Sequence, residues 1–160
     1  LVSDEVIAEL SGYAPMAPLH QAATMRAFRK DRRPGNRPMN SVERMHVSEA
    51  RMGFCIPCLS WALQGKMDLD DVAVGVTYDH KKSGNIRIGH TAGFGFCLWH
   101  HLGRIGMRSH DWMRRKFGPS LMDGGKLFEE AYGSNDELIA LQTYALESEG
   151  LQAMLCARAP

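Results

Sequence analysis

The stretch YDHKKSGNIRIGHTAGFGFCLWHHL, residues 78–102, decides how the rest of the chain is read. It holds His80, His90, His100 and His101, four of the seven histidines, together with Cys97. Upstream lies Cys55-Ile-Pro-Cys58. The order is therefore Cys-x2-Cys, then Asp79-His80, then Cys97-x2-His100-His101. Cys55, Cys58, Cys97 and His100 predict a closed tetrahedral zinc site, because thiolate and imidazole are the ligands zinc prefers. His101 is also within reach of Cys97, and the x2 spacing of a knuckle selects His100 over it. Asp79, His80 and His101 remain to hold a second, catalytic metal ion and to supply a general base.

Val72, Val74 and Val76 alternate with Ala73, Gly75 and Thr77. That period of two, with β-branched residues, predicts a strand running into Tyr78-Asp79-His80. Asp79 and His80 then point to opposite sides at the strand end, so one can bind an ion while the other faces water. A histidine base suits neutral pH, since its unperturbed pKa is about 6.5. Residues 81–89 form a loop or second strand turn, with Ser83-Gly84-Asn85 at the turn. Gly93 and Gly95 predict close backbone packing near the second knuckle. A helix starts at Leu98 and is cut short by Gly103 and Gly106. Pro57 suits a tight turn between Cys55 and Cys58. Asp68, Asp70 and Asp71 read as solvated turn residues.

Further out, Asn40-Ser41 followed by Glu43 predicts a capped helix start, with Val42, Met45, Val47 and Met52 as an uneven apolar face. Residues 109–117 read as a basic helix stopped by Gly118-Pro119. Ser134 with Glu137 is a second capping box, opening a helix to about Leu146 with Leu138, Leu141 and Ala145 inward. Residues 150–160 read as a frayed tail. Near the start, a short helix over residues 3–11 is broken by Pro15 and Pro18, and residues 21–30 are helix-compatible. Residues 26–37 carry Arg26, Arg29, Lys30, Arg32, Arg33 and Arg37 against Asp31 alone, among Pro34 and Gly35. That composition predicts a flexible basic arm able to hold phosphates without reading bases. The expected organisation is an arm or linker over 1–37, one domain over 38–149, and a tail over 150–160.

The formal net charge of +1 excludes any argument from global charge. Its distribution says more: residues 55–116 carry nine Lys or Arg against five Asp or Glu, and residues 117–160 carry two against seven. A basic middle and acidic end suit one surface facing nucleic acid. The cysteines read as metal ligands, with Cys156 left over, which fits a reducing cytoplasm. No apolar run approaches the roughly 18 residues of a membrane span. The first residues, LVSDEVIAEL, lack the basic start and apolar run of a signal peptide; they also lack an initiator Met, as a trimmed sequence would.

Taken together, these residues resemble the HNH, or ββα-metal, nucleases. The closer resemblance is to the Ref family of phage RecA-dependent recombination nucleases. It is carried by Gly53-Phe54-Cys55-Ile56-Pro57-Cys58, Asp79-His80, Arg87-Ile88-Gly89-His90 and Cys97-Leu98-Trp99-His100-His101. Gly118-Pro119-Ser120, the run from Phe128 to Ser134, Asp136-Glu137-Leu138 and Ala140-Leu141-Gln142 extend it, so that it spans roughly 38–146. The chain departs from the pattern in having Asp79 where His is frequent, and Ala92 where the middle Asn of HNH would fall.

The resemblance implies an α+β fold: a zinc-braced HNH core with flanking helices. It implies metal-dependent DNA endonuclease activity in phage or prophage recombination, dependence on a RecA filament, and a host-cytoplasmic location. Within it, His80 is the expected base, and Asp79 and His101 hold Mg2+ or another divalent ion. His90 is a further ligand, a phosphate contact or a loop brace. Arg87 is a phosphate clamp, since a guanidinium fork matches phosphate geometry; Lys81, Lys82, Arg104, Arg29, Arg32 and Arg33 are the other candidate phosphate contacts. Two alternatives stay open: a non-catalytic zinc module binding DNA or a recombination protein, and the same chemistry directed at RNA.

Overall fold

The computed structural model describes residues 37–157 apart from 84, 85, 105 and 107. The expected basic arm, with Arg29, Arg32 and Arg33, lies outside the described residues. Helices dominate, and the small sheet they enclose makes the fold α+β.

Helix α1, Ser41–Met52, opens as its sequence requires. Asn40 caps it by accepting from the Glu43 amide at 2.9 Å, and the Glu43 carboxylate accepts in return from the Asn40 amide at 2.9 Å. Arg37 lies against the same carboxylate in an ion pair. The guanidinium, as hydrogen-bond donor, holds the Glu43 carboxyl down at about 2. The inward face differs from the expected one. Val47 and Ala50 pack on Tyr78, whereas Val42, Met45 and Met52 are exposed. Ala50 is small enough to let the helix approach a strand of glycines.

Helix α2, Ile56–Leu63, begins at the first knuckle, with Cys55 as its N-cap and Pro57 in its first turn. The tight turn expected at Pro57 is therefore a helix start, a position where proline's missing N–H costs nothing. Phe54 pairs with Val74 in an isolated bridge, and the Cys55 amide donates to the Ala73 carbonyl at 2.7 Å. The strand expected from Val72 does not form over its first half. Leu69–Asp71 is a 3-10 turn, Val74 is spent on the bridge to Phe54, and Gly75 takes a φ of +68° that breaks the extended run. Regular pairing starts only at β1, Thr77–His80.

Two strands of two residues follow, β2 (Lys82–Ser83) and β3 (Ile86–Arg87), paired antiparallel as the turn residues between them predict. Strand β4, Gly93–Phe96, lies antiparallel to β1 with Thr77 opposite Phe96 and His80 opposite Gly93. Gly93 and Gly95 are required by space. A Cβ on Gly95 would sit 2.5 Å from Val76 Cγ2 and 3.0 Å from the Phe54 carbonyl oxygen. One on Gly93 would sit 2.1 Å from the Asp79 carbonyl oxygen. The expected close packing is thus the seat of α1 on the sheet.

Helix α3, Leu98–Leu102, ends at Gly103 in the left-handed region with φ +59°. It is followed by α4 (His110–Phe117), α5 (Gly125–Tyr132) and α6 (Asn135–Glu147), the last opened by the Ser134–Glu137 capping box. Leu138, Leu141 and Ala145 are buried as expected. Gln142 is buried beside them, and its Oε1 accepts from the Gly95 amide at 2.9 Å, pairing a strand donor that β1 cannot reach. The expected frayed tail is instead helix α7, Glu149–Ala157, anchored by the fully buried Leu151. Cys156 is a free, exposed thiol on it. One core joins α2, β4, α5, α6 and α7 through Phe54, Ile56, Leu59, Phe96, Phe128, Leu138 and Leu151.

Candidate metal centre and the adjoining strand end

Cys55, Cys58, Cys97 and His100 come together as the spacing predicts, their ligand atoms all within 4.8 Å of one another. The first two come from the start of α2, Cys97 from the N-cap of α3, and His100 from one turn along that helix. His100 Nδ1 lies 3.3 Å from Cys55 Sγ, 3.4 Å from Cys58 Sγ and 3.2 Å from Cys97 Sγ. Tetrahedral zinc with its usual bond lengths puts sulfur and nitrogen about 3.5 Å apart, so the four donors fit that ion closely.

The surroundings fit as well. His100 Nε2 lies 2.9 Å from the Phe117 carbonyl oxygen, which only accepts, so Nε2 carries the proton and Nδ1 offers its lone pair to the sulfur cluster. Tyr132 Oη, 2.9 Å from the same nitrogen, donates to the Phe117 and Pro119 carbonyls at 2.8 Å each. Gly118 passes so close that a Cβ there would meet Tyr132 Oη at 2.3 Å. Three thiolates cannot share this space without a cation. Burial pushes the Cys55 thiol well up, while hydrogen bonds from Cys55 and Cys58 pull the Cys97 thiol down. The choice between His100 and His101 is settled by direction: His101 Nδ1 lies 3.1 Å from Thr77 Oγ1, and its ring stacks on Phe96 with centroids 5.4 Å apart.

The residues at the end of β1 divide by strand parity. Thr77 and Asp79 share one face with Phe94, Phe96 and His101; Tyr78 and His80 share the other. Asp79 Oδ1 accepts from the His80 amide at 3.0 Å. The His80 ring is half-buried, edge-on to Tyr78 at 5.1 Å and to His90 at 5.7 Å. Burial lowers the His80 pKa, and the nearby Arg87 charge and His90 lower it further. It is therefore neutral at pH 7. His90 is buried, with Nε2 2.9 Å from the Arg37 carbonyl oxygen.

Arg87 and Lys82 are exposed, opposite each other in the β2–β3 pair, and Arg104 is exposed just past α3. Lys81 instead forms an ion pair with Asp136 at the start of α6. Sequence reasoning missed Tyr132 and Gln142 as supports, and missed His46, whose ring lies 6.0 Å from Tyr78. Tyr132 and Gln142 lie in runs that carry the resemblance, but only the fold shows what they support; nothing in its local sequence marks His46.

The family model described as recombination enhancement, RecA-dependent nuclease matches residues 41–147. The chain belongs to that family. Membership in this family, described as one of RecA-dependent nucleases of recombination enhancement, makes the protein an enzyme, a nuclease with a role in recombination. The match begins at the first residue of α1 and ends at the last residue of α6, so it contains the whole metal centre and both faces of the strand end. No curated protein and no solved structure matches the chain significantly. Among the described residues, no helix is long and apolar enough to cross a membrane.

Proposed function

We propose that the protein is an HNH-type, metal-dependent DNA endonuclease, in which the cysteine–histidine centre is structural and the end of β1 is the reacting site. The observation that carries this is the order of elements: β1 ending in Asp79-His80, an antiparallel β4, then Cys97 and a short helix bearing His101. In this two-strand-and-helix unit the Asp79 carboxylate and the His101 imidazole share one face, and His80 follows Asp79 at the strand end with its ring on the other. Asp79 and His101 offer the oxygen and nitrogen donors that Mg2+ or another divalent ion accepts. Bound there, such an ion supplies charge neutralisation for a phosphate oxygen and for the departing 3′ oxygen.

His80 takes the proton of the attacking water. The water oxygen bonds to phosphorus, the P–O3′ bond breaks, and the 3′ oxygen takes up a proton from solvent. The products are 5′-phosphate and 3′-hydroxyl ends. Arg87, Lys82 and Arg104, all exposed, hold the flanking phosphates, which positions the strand without reading sequence. A role in phage or prophage recombination follows from the Ref resemblance.

The test is a cleavage assay on DNA and RNA over a series of divalent ions, with RecA filaments present and absent, for wild type, Asp79→Asn and His101→Ala. Cleavage of DNA that needs both an added ion and both side chains is the expected result. Retained zinc with cleavage unchanged in both variants would replace the nuclease site proposed here with another. Binding without cleavage by the wild type would make the domain a zinc module.

A further inference from the structure

Four buried side-chain atoms on one face of the β1–β4 hairpin have no hydrogen-bond partner: His46 Nε2, Tyr78 Oη, His80 Nε2 and His90 Nδ1. Their rings form one row. His46 meets Tyr78 at 6.0 Å, Tyr78 meets His80 at 5.1 Å, and His80 meets His90 at 5.7 Å, each pair edge-to-face. An isolated orphan of this kind costs about 1–3 kcal/mol, and folded proteins contain few. Four in contact call for pairing among themselves.

The chemistry of each atom dictates the pairs. A backbone carbonyl only accepts, so the His90 nitrogen facing the Arg37 oxygen at 2.9 Å, Nε2, carries that ring's proton. In that tautomer His90 presents Nδ1 as an acceptor. His80 Nε2 is likewise buried and without a partner, which leaves Nδ1 as the nitrogen available to the outside. The remaining two atoms, the Tyr78 hydroxyl and His46 Nε2, are complementary as donor and acceptor. An N–H···N bond of about 2.9 Å joining two imidazole edges places the centroids roughly 5 Å apart, and the 5.7 Å between His80 and His90 is close to that separation. Arg37 is itself held by Glu43, the first-turn member of the capping box that Asn40 opens on α1, which fixes the carbonyl that starts the chain of bonds.

We propose that His90 is a positioning residue. Its Nδ1 accepts from His80 Nε2–H and holds His80 in the tautomer whose lone pair is on the outward Nδ1, where the proton of the attacking water is received. The Arg37 carbonyl sets the His90 tautomer, and His90 sets that of His80. The catalytic consequence rests on the nuclease reading with His80 as base; the hydrogen bond does not.

The experiment is long-range 1H–15N NMR of the full chain, read beside steady-state DNA cleavage. In the wild type, His80 is expected to be protonated at Nε2, with a slowly exchanging N–H coupled across the bond to His90 Nδ1. His90→Leu should lose that signal and lower kcat at least about 10-fold with KM unchanged. His90→Asn, which returns an acceptor oxygen near the same place, should recover most of both. A wild-type His80 protonated at Nδ1 overturns the proposal whether or not the leucine variant folds, and so does an unchanged His80 signal in His90→Leu. A wild type that shows the coupled N–H but cuts no DNA supports the pairing and removes the nuclease reading.

Discussion

Removing the metal ligand Cys58 should cost the domain much of its stability, and the structure gives the scale. A metal ion held by the first knuckle and by Cys97 ties together two points roughly 40 residues apart, and a cross-link closing a loop of that length stabilises by about 4 kcal/mol through chain entropy alone. Cys55, Cys58 and His100 are all at 0% exposure inside the main core, so unliganded donors add an unpaired-polar cost to that figure. Whole domains have only about 5–15 kcal/mol to lose. Cys58→Ala, a substitution that the helix α2 backbone accepts readily, should therefore lower Tm by on the order of 15 °C or leave the chain unfolded. Differential scanning calorimetry, with zinc counted per chain by mass spectrometry, checks both halves. Chelator-treated wild type should fall similarly and recover on adding zinc. A Cys58→Ala protein that keeps the wild-type Tm, or a metal-free wild type as stable as the zinc-loaded one, would refute the reasoning.

Tyr132→Phe removes the hydroxyl that braces the His100 ring and the Phe117 and Pro119 carbonyls; zinc affinity by competition with a chelator should weaken roughly 10–100-fold, with the fold retained. Gly93→Ala drives a methyl into the Asp79 carbonyl; the hairpin must open at the strand end, so stability should fall by about 1–3 kcal/mol in urea unfolding and cleavage should fall with it. Glu43 has a carboxyl pKa lowered by Arg37 to about 2, from 4.5. A lowered folded-state pKa gives stability that is complete above the unfolded value and is lost as pH falls through the folded one. The Tm advantage of wild type over Glu43→Gln should therefore be constant above pH 5 and vanish between about pH 4.5 and 2.

The metal centre was legible because its spacing is local: two residues between each knuckle pair leave few ways to point four donors except at one another. Capped helices were legible for the same reason, since Asn40 with Glu43 and Ser134 with Glu137 are short-range signals. The strand from Val72 misled because alternation reports which faces are buried without reporting backbone direction. Val72 and Val76 are buried, yet Gly75 turns the chain between them. Helix α7 was hidden by Gly150 and by a composition that reads as a tail; Leu151, with Met154 and Leu155, packs it against the core. The row from His46 to His90 was not legible at all. His46 meets Tyr78 only because Ala50, Gly93 and Gly95 let α1 approach the hairpin, a fact of packing that no window of sequence contains.

The central claim, that a sulfur–imidazole centre builds the scaffold while the neighbouring strand end cuts DNA, is tested most directly by single-turnover cleavage with His80→Ala. The account predicts a folded protein with full zinc content and undiminished DNA binding, whose cleavage rate falls by at least about 100-fold. Cleavage at the wild-type rate by that same metal-loaded, folded variant would contradict it.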